Sequence, residues 1–240
     1  MVNILKELIE GILRLVFSEK LAHLNERPEV LKTLGLYKGE GFVGTFARIR
    51  FWDAPFIELE RLIPKKGVVV DLGCGDGVFS NFLAVTGKSR RILGIELNHR
   101  RVKDGDRGLT NIKFVQGDVL KEEIPQADAI VMTHLLHHLP TRDDQERLIF
   151  KCYQSLKKNG VLVIAEVGEK PISKLIISYL TDAFLVPIVF ERKLADFNFH
   201  YRRAGSWVRI LKEMGFDVKV KWISKDKPFS HVIFLAKKVT

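Results

Sequence analysis

The stretch Val68-Val-Val-Asp-Leu-Gly-Cys-Gly-Asp-Gly-Val-Phe-Ser80 decides how the rest of the chain is read. Val68–Leu72 is a nearly continuous apolar run, as expected of a strand covered on both faces of a sheet. Gly73, Gly75 and Gly77 then allow a tight turn and a close approach of backbone to ligand. A helix-compatible segment follows at Phe79–Thr86. Strand, glycine loop and helix in this order put a ligand at the carboxyl end of the strands, where open α/β sheets bind.

The same texture continues outward. Strand-like runs recur at Arg91–Glu96, Ile112–Gln116, Ala129–Thr133 and Val161–Val167, with helical segments at His99–Arg107 and Asp143–Leu156 between them. This alternation predicts an α/β fold with a doubly wound, mostly parallel sheet. A helix at Ser206–Met214, capped by Gly215, precedes strands Phe216–Ile223 and His231–Ala236, which read as an antiparallel C-terminal hairpin on the sheet edge. Ahead of the sheet, residues 1–63 read as an N-terminal helical lid or extension, with the sheet domain spanning 64–240. In that extension, residues 3–17 form an amphipathic helix, Tyr37–Gly44 a glycine-rich mobile loop, and Phe56–Ile63 a helix ended by Pro64. A helical cap insert occupies about 170–203.

Charge narrows the ligand. A dinucleotide loop calls for G-x-G-x-x-G, but the third glycine position is Val78. Asp71 and Asp76 would also face a pyrophosphate, an unfavourable pairing of like charges. A cationic nucleoside without phosphate, such as S-adenosylmethionine, suits the loop. Glu96 ends the second strand, where a carboxylate accepts both ribose hydroxyls, and Asp118 follows the third, within reach of an adenine amino group.

Val68–Ser80, Gly94-Ile-Glu-Leu-Asn98, Gly117-Asp-Val119 and Leu156–Glu166 together resemble the successive motifs of class I S-adenosylmethionine-dependent methyltransferases. The resemblance covers residues 64–167, and the last helix and hairpin suit that family's seven-stranded sheet with its reversed last strand. It implies that Asp71, Gly73, Cys74 and Gly75 line the methionine end. Glu96 would hold the ribose, Leu97 pack on the adenine, Asp118 and Val119 cover its edge, and Thr133 adjoin the cofactor.

After the fourth strand, Met132-Thr-His-Leu-Leu-His-His-Leu-Pro140 is similar to the acceptor-facing segment in methyltransferases of quinone and small-molecule biosynthesis. It departs from the Asn/Asp-Pro-Pro-Tyr/Phe pattern of amino-group methylases. Methyl transfer from a sulfonium rests mainly on alignment. Where the acceptor must lose a proton, His134 is the first candidate base and His138 the second. Residues 172–190 of the insert hold only two charges, Lys174 and Asp182, and Asp196–Arg203 interleaves aromatics with cations. Tyr201, Arg202 and Arg203 are therefore expected to meet the substrate, with the arginines clamping an anionic group of a small or amphiphilic, lipid- or quinone-like acceptor.

Composition sets the remaining expectations. Residues 151–240 carry 17 basic against 8 acidic side chains, so nearly all of the chain's +10 lies there. That excess admits peripheral membrane contact and makes an RNA methyltransferase the runner-up. No separate recognition domain or matching acceptor motif supports nucleic acid. A non-catalytic S-adenosylmethionine-binding regulator is the alternative outside catalysis. Two cysteines, Cys74 and Cys152, without ligand spacing imply no disulfide framework, no metal and a cytoplasmic setting. No 18-residue uncharged run exists, which argues against a spanning helix. Lys6, Glu7, Glu10 and Arg14 interrupt the N-terminal apolar residues and argue against a signal peptide.

Overall fold

The computed structural model describes residues 4, 7–9, 11, 12, 27–191 and 193–239, with 190 and 191 as backbone alone. A seven-stranded sheet runs through the chain in the order β3-β2-β1-β4-β5-β7-β6. Its strands are β1 Lys66–Leu72, β2 Ser89–Glu96, β3 Ile112–Gln116, β4 Ala127–Thr133, β5 Leu156–Val167, β6 Phe216–Ile223 and β7 His231–Lys238. The first five are parallel, whereas β7 runs antiparallel to both β5 and β6. The expected C-terminal hairpin therefore forms with its second strand inserted beside β5, leaving β6 at the edge.

The apolar run of β1 is explained by its two faces. Val70 and Leu72 enter one core with Ile130, Met132, Leu162 and Trp207, and Val69 enters the other with Val131, Val163 and Phe82. Helices α4 Val78–Thr86, α5 His99–Gly105, α6 Arg142–Ser155 and α8 Ala204–Glu213 complete the doubly wound fold.

The N-terminal region departs most from expectation. Helices α1 Pro28–Gly35, α2 Gly41–Asp53 and α3 Phe56–Glu60 precede the sheet, so the glycine-rich segment opens a helix instead of forming only a loop. A side chain at Gly44 would lie 2.5 Å from the Tyr37 carbonyl oxygen, so its glycine permits a tight helical start. Val30, Leu34, Tyr37, Ala47 and Phe51 share a core with β1 and β4. Of the amphipathic N-terminal helix, residues 4, 7–9, 11 and 12 are helical, with Ile4, Leu8 and Ile12 exposed; Leu5, Lys6, Glu10, Leu13, Arg14, Val16 and Phe17 lie outside the described residues.

The cap insert is helix α7 Ile172–Leu180 followed by π-helical turns at Thr181–Leu185 and Pro187–Glu191. The expectation against a spanning segment rested on the lack of an uncharged run. Ile172–Val189, with mean hydropathy 1.7, is nevertheless long and apolar enough to cross a membrane by length and composition; 28% of it is buried against the domain.

A buried cation fastens the N-terminal helices to the sheet. Arg90 is completely buried and donates to Glu60 Oε1 at 2.9 Å, to Thr86 Oγ1 at 3.0 Å and to the carbonyls of Pro64, Ile63 and Leu83. Every guanidinium nitrogen is thereby used, the condition under which a buried charge is tolerated. Arg90→Met strands those carbonyls and half of the Glu60 pairing. We expect a loss of about 3 kcal/mol in urea unfolding, with α3 losing amide-exchange protection first.

Candidate active site

The glycine loop between β1 and α4 is left-handed at three points, with φ of 68° at Gly73, 57° at Gly75 and 67° at Gly77. Only glycine accepts such a series without strain. The loop is held from below by β2: Gly73 N donates to the Ile95 carbonyl at 2.8 Å, and Gly75 N donates to Glu96 Oε2 at 2.9 Å. Glu96 Oε1 accepts from Asn98 N at 2.9 Å. Each Glu96 oxygen retains a further lone pair for a ligand hydroxyl. From above, Tyr37 donates its hydroxyl to the Asp76 carbonyl at 2.9 Å and accepts from Asn81 Nδ2 at 2.8 Å. Arg101 grips both Asp76 oxygens at 3.0 and 3.2 Å and lies against Gly75.

The residues expected at the cofactor lie at or just beyond the carboxyl ends of β1, β2, β3 and β4. Asp71 is buried and accepts from the Ser80 hydroxyl. Burial lifts its pKa to about 7, Ser80 opposing and the Glu96 charge adding to the rise, with Arg50 also opposing. Cys74 is partly buried beside Gly94, and its thiol pKa is pushed up, first by burial and then by Asp71 and Glu96. Leu97 is 67% exposed at the tip of β2, where an apolar side chain stays bare unless a flat ligand covers it. Asp118 Oδ1 accepts from Leu120 N at 3.0 Å, and Val119 is buried beside it. Thr133 Oγ1 is buried without a hydrogen-bond partner among the described residues. Acidic oxygens, a bare apolar tip and an orphaned hydroxyl around one loop fit a cationic nucleoside.

His134 follows β4 with a φ of 54°. Its Nδ1 meets Arg50 Nη2 at 3.3 Å and its Nε2 meets His231 Nδ1 at 2.9 Å. His231 Nε2 contacts Asp53 Oδ1 at 3.1 Å, and Arg50 Nη1 lies 3.7 Å from Asp53 Oδ2. Together these contacts close a circuit between α2 and the ends of β4 and β7. Burial, then Arg50 and His231, hold the His134 pKa well below its usual value. Both nitrogens of His134 are thus committed within the protein.

The cap is pinned through a neighbouring histidine. His137 is buried, with Nδ1 2.5 Å from Glu166 Oε2 and Nε2 3.5 Å from Asp182 Oδ2. Burial disfavours its cation, but Glu166 and Asp182 overcome that and raise its pKa to about 10. Tyr201 stacks on the His137 ring at 4.8 Å and donates to Asp182. His138 is exposed, edge-on to Phe199 at 5.3 Å, and its ring makes no hydrogen bond among the described residues. Arg202 donates to Gln145 Oε1, Glu146 Oε1 and the Arg142 carbonyl, tying the end of the cap to α6, whereas Arg203 is exposed at the start of α8.

His137, Glu166 and Asp182 were not singled out as a group by the sequence. The available signal was Asp182, a lone carboxylate in an otherwise apolar helical run. The expected absence of metal rested on linear spacing; folding brings His137, His138 and Asp182 together so that one donor atom from each lies within 4.8 Å of the others.

Residues 46–219 match a family model described as a methyltransferase domain. Trans-aconitate 2-methyltransferase of Deinococcus radiodurans is 33% identical over 114 residues, covering 46% of this chain and 43% of the relative. The chain spans about half the length of the curated relatives it matches. In fold it is similar to an S-adenosylmethionine-dependent methyltransferase from Methanosarcina mazei, with a TM-score of 0.58 at 21% identity over 77% of this chain and 97% of the other. It is likewise similar to magnesium protoporphyrin IX methyltransferase from Synechocystis with bound S-adenosylhomocysteine, with a TM-score of 0.59 at 15% identity over 85% and 91%. The left-handed glycine loop, the acidic strand ends and the match over most of its length place this chain in the class I S-adenosylmethionine-dependent methyltransferases.

Proposed function

We propose that the protein transfers the methyl group of S-adenosylmethionine to a small or amphiphilic acceptor in the cytoplasm. The observation that carries the cofactor side is the Gly75–Glu96 hydrogen bond, which leaves a buried carboxylate facing the glycine loop beside exposed Leu97. Asp71, Gly73, Cys74 and Gly75 line the methionine end. Glu96 takes the ribose, Leu97 and Val119 flank the adenine, Asp118 meets its amino group, and Thr133 gives its orphaned hydroxyl to the ligand. The acceptor nucleophile attacks the methyl carbon, the sulfur–carbon bond breaks, and S-adenosylhomocysteine leaves. Alignment supplies most of the rate, and on the order of 7–11 kcal/mol is available from this source. His138 meets the acceptor, while His134, with both nitrogens engaged, positions the strand end.

The cap supports an amphiphilic acceptor. Ile9, Ile177, Leu180, Thr181, Phe184, Leu185 and Ile188 line a shallow, open apolar depression of about 280 Å³. Ile172, Ile176 and Ile177 stand exposed beside it, on the most basic third of the chain. Exposed apolar side chains on a chain segment rich in cations suit an anionic bilayer surface, from which a lipid-like acceptor reaches the depression.

Three outcomes test this reading. Asp71 is uncharged below its pKa of about 7 and ionised above it, so a positive ligand is favoured as pH rises. Calorimetric affinity for S-adenosylmethionine should be roughly tenfold weaker at pH 6 than at pH 8, and Asp71→Asn should flatten that dependence; an unchanged profile removes Asp71 from the cofactor site. His138→Ala should lower single-turnover methyl transfer about 100-fold at unchanged cofactor affinity. Replacing exposed Ile172 and Ile176 by Glu should cut flotation with anionic vesicles by at least about tenfold while leaving the fold intact. Wild-type protein that ignores vesicles and methylates only polar metabolites refutes the amphiphile.

A further inference from the structure

The geometry points to a divalent transition-metal site formed by His137, His138 and Asp182 beneath the cap, sharing His138 with the proposed acceptor side. The donors are two imidazoles and one carboxylate, the set that suits zinc, iron(II) or manganese(II) and leaves further coordination positions open. One donor atom from each residue lies within 4.8 Å of the others, although 44 residues separate His138 from Asp182 in the chain.

Two distances suit a bound metal as well as an ion pair. Charged N–H···O bonds are about 2.7–2.9 Å long, whereas His137 Nε2 and Asp182 Oδ2 are 3.5 Å apart. Ligand bonds of about 2.0–2.2 Å in a tetrahedral site separate neighbouring donors by roughly 3.4 Å, which this spacing matches. The opposite nitrogen behaves differently: His137 Nδ1 lies 2.5 Å from Glu166 Oε2. A carboxylate on the far nitrogen is the arrangement that orients a metal-bound imidazole and sharpens its basicity. Glu166 is itself fixed by Leu136 N at 2.9 Å, and the Tyr201 hydroxyl fixes Asp182.

The site is half built and half open. His137 and Asp182 are held in place from the protein interior, while His138 is exposed and packs against the His137 and Phe199 rings. Glu166 and Asp182 flank the His137 ring at its two nitrogens, and their negative charge favours a divalent ion. An ion held there would join the cap to the ends of β4 and β5 and present its open positions on the side of His138. The proposal does not depend on methyl transfer, and its test is read without turnover.

Tag-free protein is titrated with cobalt(II), whose visible absorption reports ligand number, in the absence of cofactor. One equivalent should bind with tetrahedral or five-coordinate bands, and zinc(II) should bleach them. His138→Ala, at an exposed side chain, and Asp182→Asn should each weaken binding at least about tenfold. Thermal shift by S-adenosylhomocysteine reports that each variant remains folded. Wild-type protein that shows the S-adenosylhomocysteine shift but no cobalt bands overturns the site. Bands that persist at full strength in both variants overturn it equally, because the ion then sits elsewhere.

Discussion

The hydrogen bond from the Gly75 amide to the Glu96 carboxylate joins two parts of the chain that neither could hold alone. A loop with three left-handed glycines carries a large conformational entropy in the unfolded state. It becomes a single shape only because β2 offers the Ile95 carbonyl and the Glu96 side chain at the right height. The register of β1 against β2, pairing Leu72 with Ile95, is what sets that height. A single buried carboxylate thereby holds the backbone amides of Gly75 and Asn98, tying the glycine loop to the end of β2.

The helices ahead of the sheet act on this loop from the opposite side. Tyr37 reaches the Asp76 carbonyl and Asn81, while Arg50 and Asp53 close a circuit through His134 and His231. Tyr37 thus reaches the loop after β1, and α2 reaches the ends of β4 and β7. An arginine, an aspartate and two imidazoles partner one another there, which makes burial of so many polar groups tolerable.

Much of this was legible in the sequence, for physical reasons particular to each element. Val68–Leu72 could be read as a central strand because both of its faces are buried, and the glycines at 73, 75 and 77 because nothing else fits their backbone. The carboxylates of Glu96 and Asp118 were legible by falling at strand ends. The Gly41–Asp53 helix was not, because Gly44 serves a close approach to Tyr37 that only the tertiary structure reveals. Arg202 looked like a substrate clamp from its aromatic surroundings, but the fold gives its guanidinium to Gln145 and Glu146. The grouping of His137 with Glu166 and Asp182 was hidden for a similar reason: periodicity reports which face a residue occupies, not which distant element will cover it.

The cap is anchored at both feet. At its entry, Gly168 N donates to the Ser230 carbonyl and Ser230 Oγ to the Lys170 carbonyl. At its exit, Arg202 is bound to α6. Between these fixed points the chain leaves the sheet and returns without displacing a strand. Such an excursion can be lengthened, shortened or replaced by descent with modification while the nucleoside cleft is inherited intact. New chemistry in a lineage can therefore arise here by exchange of one module.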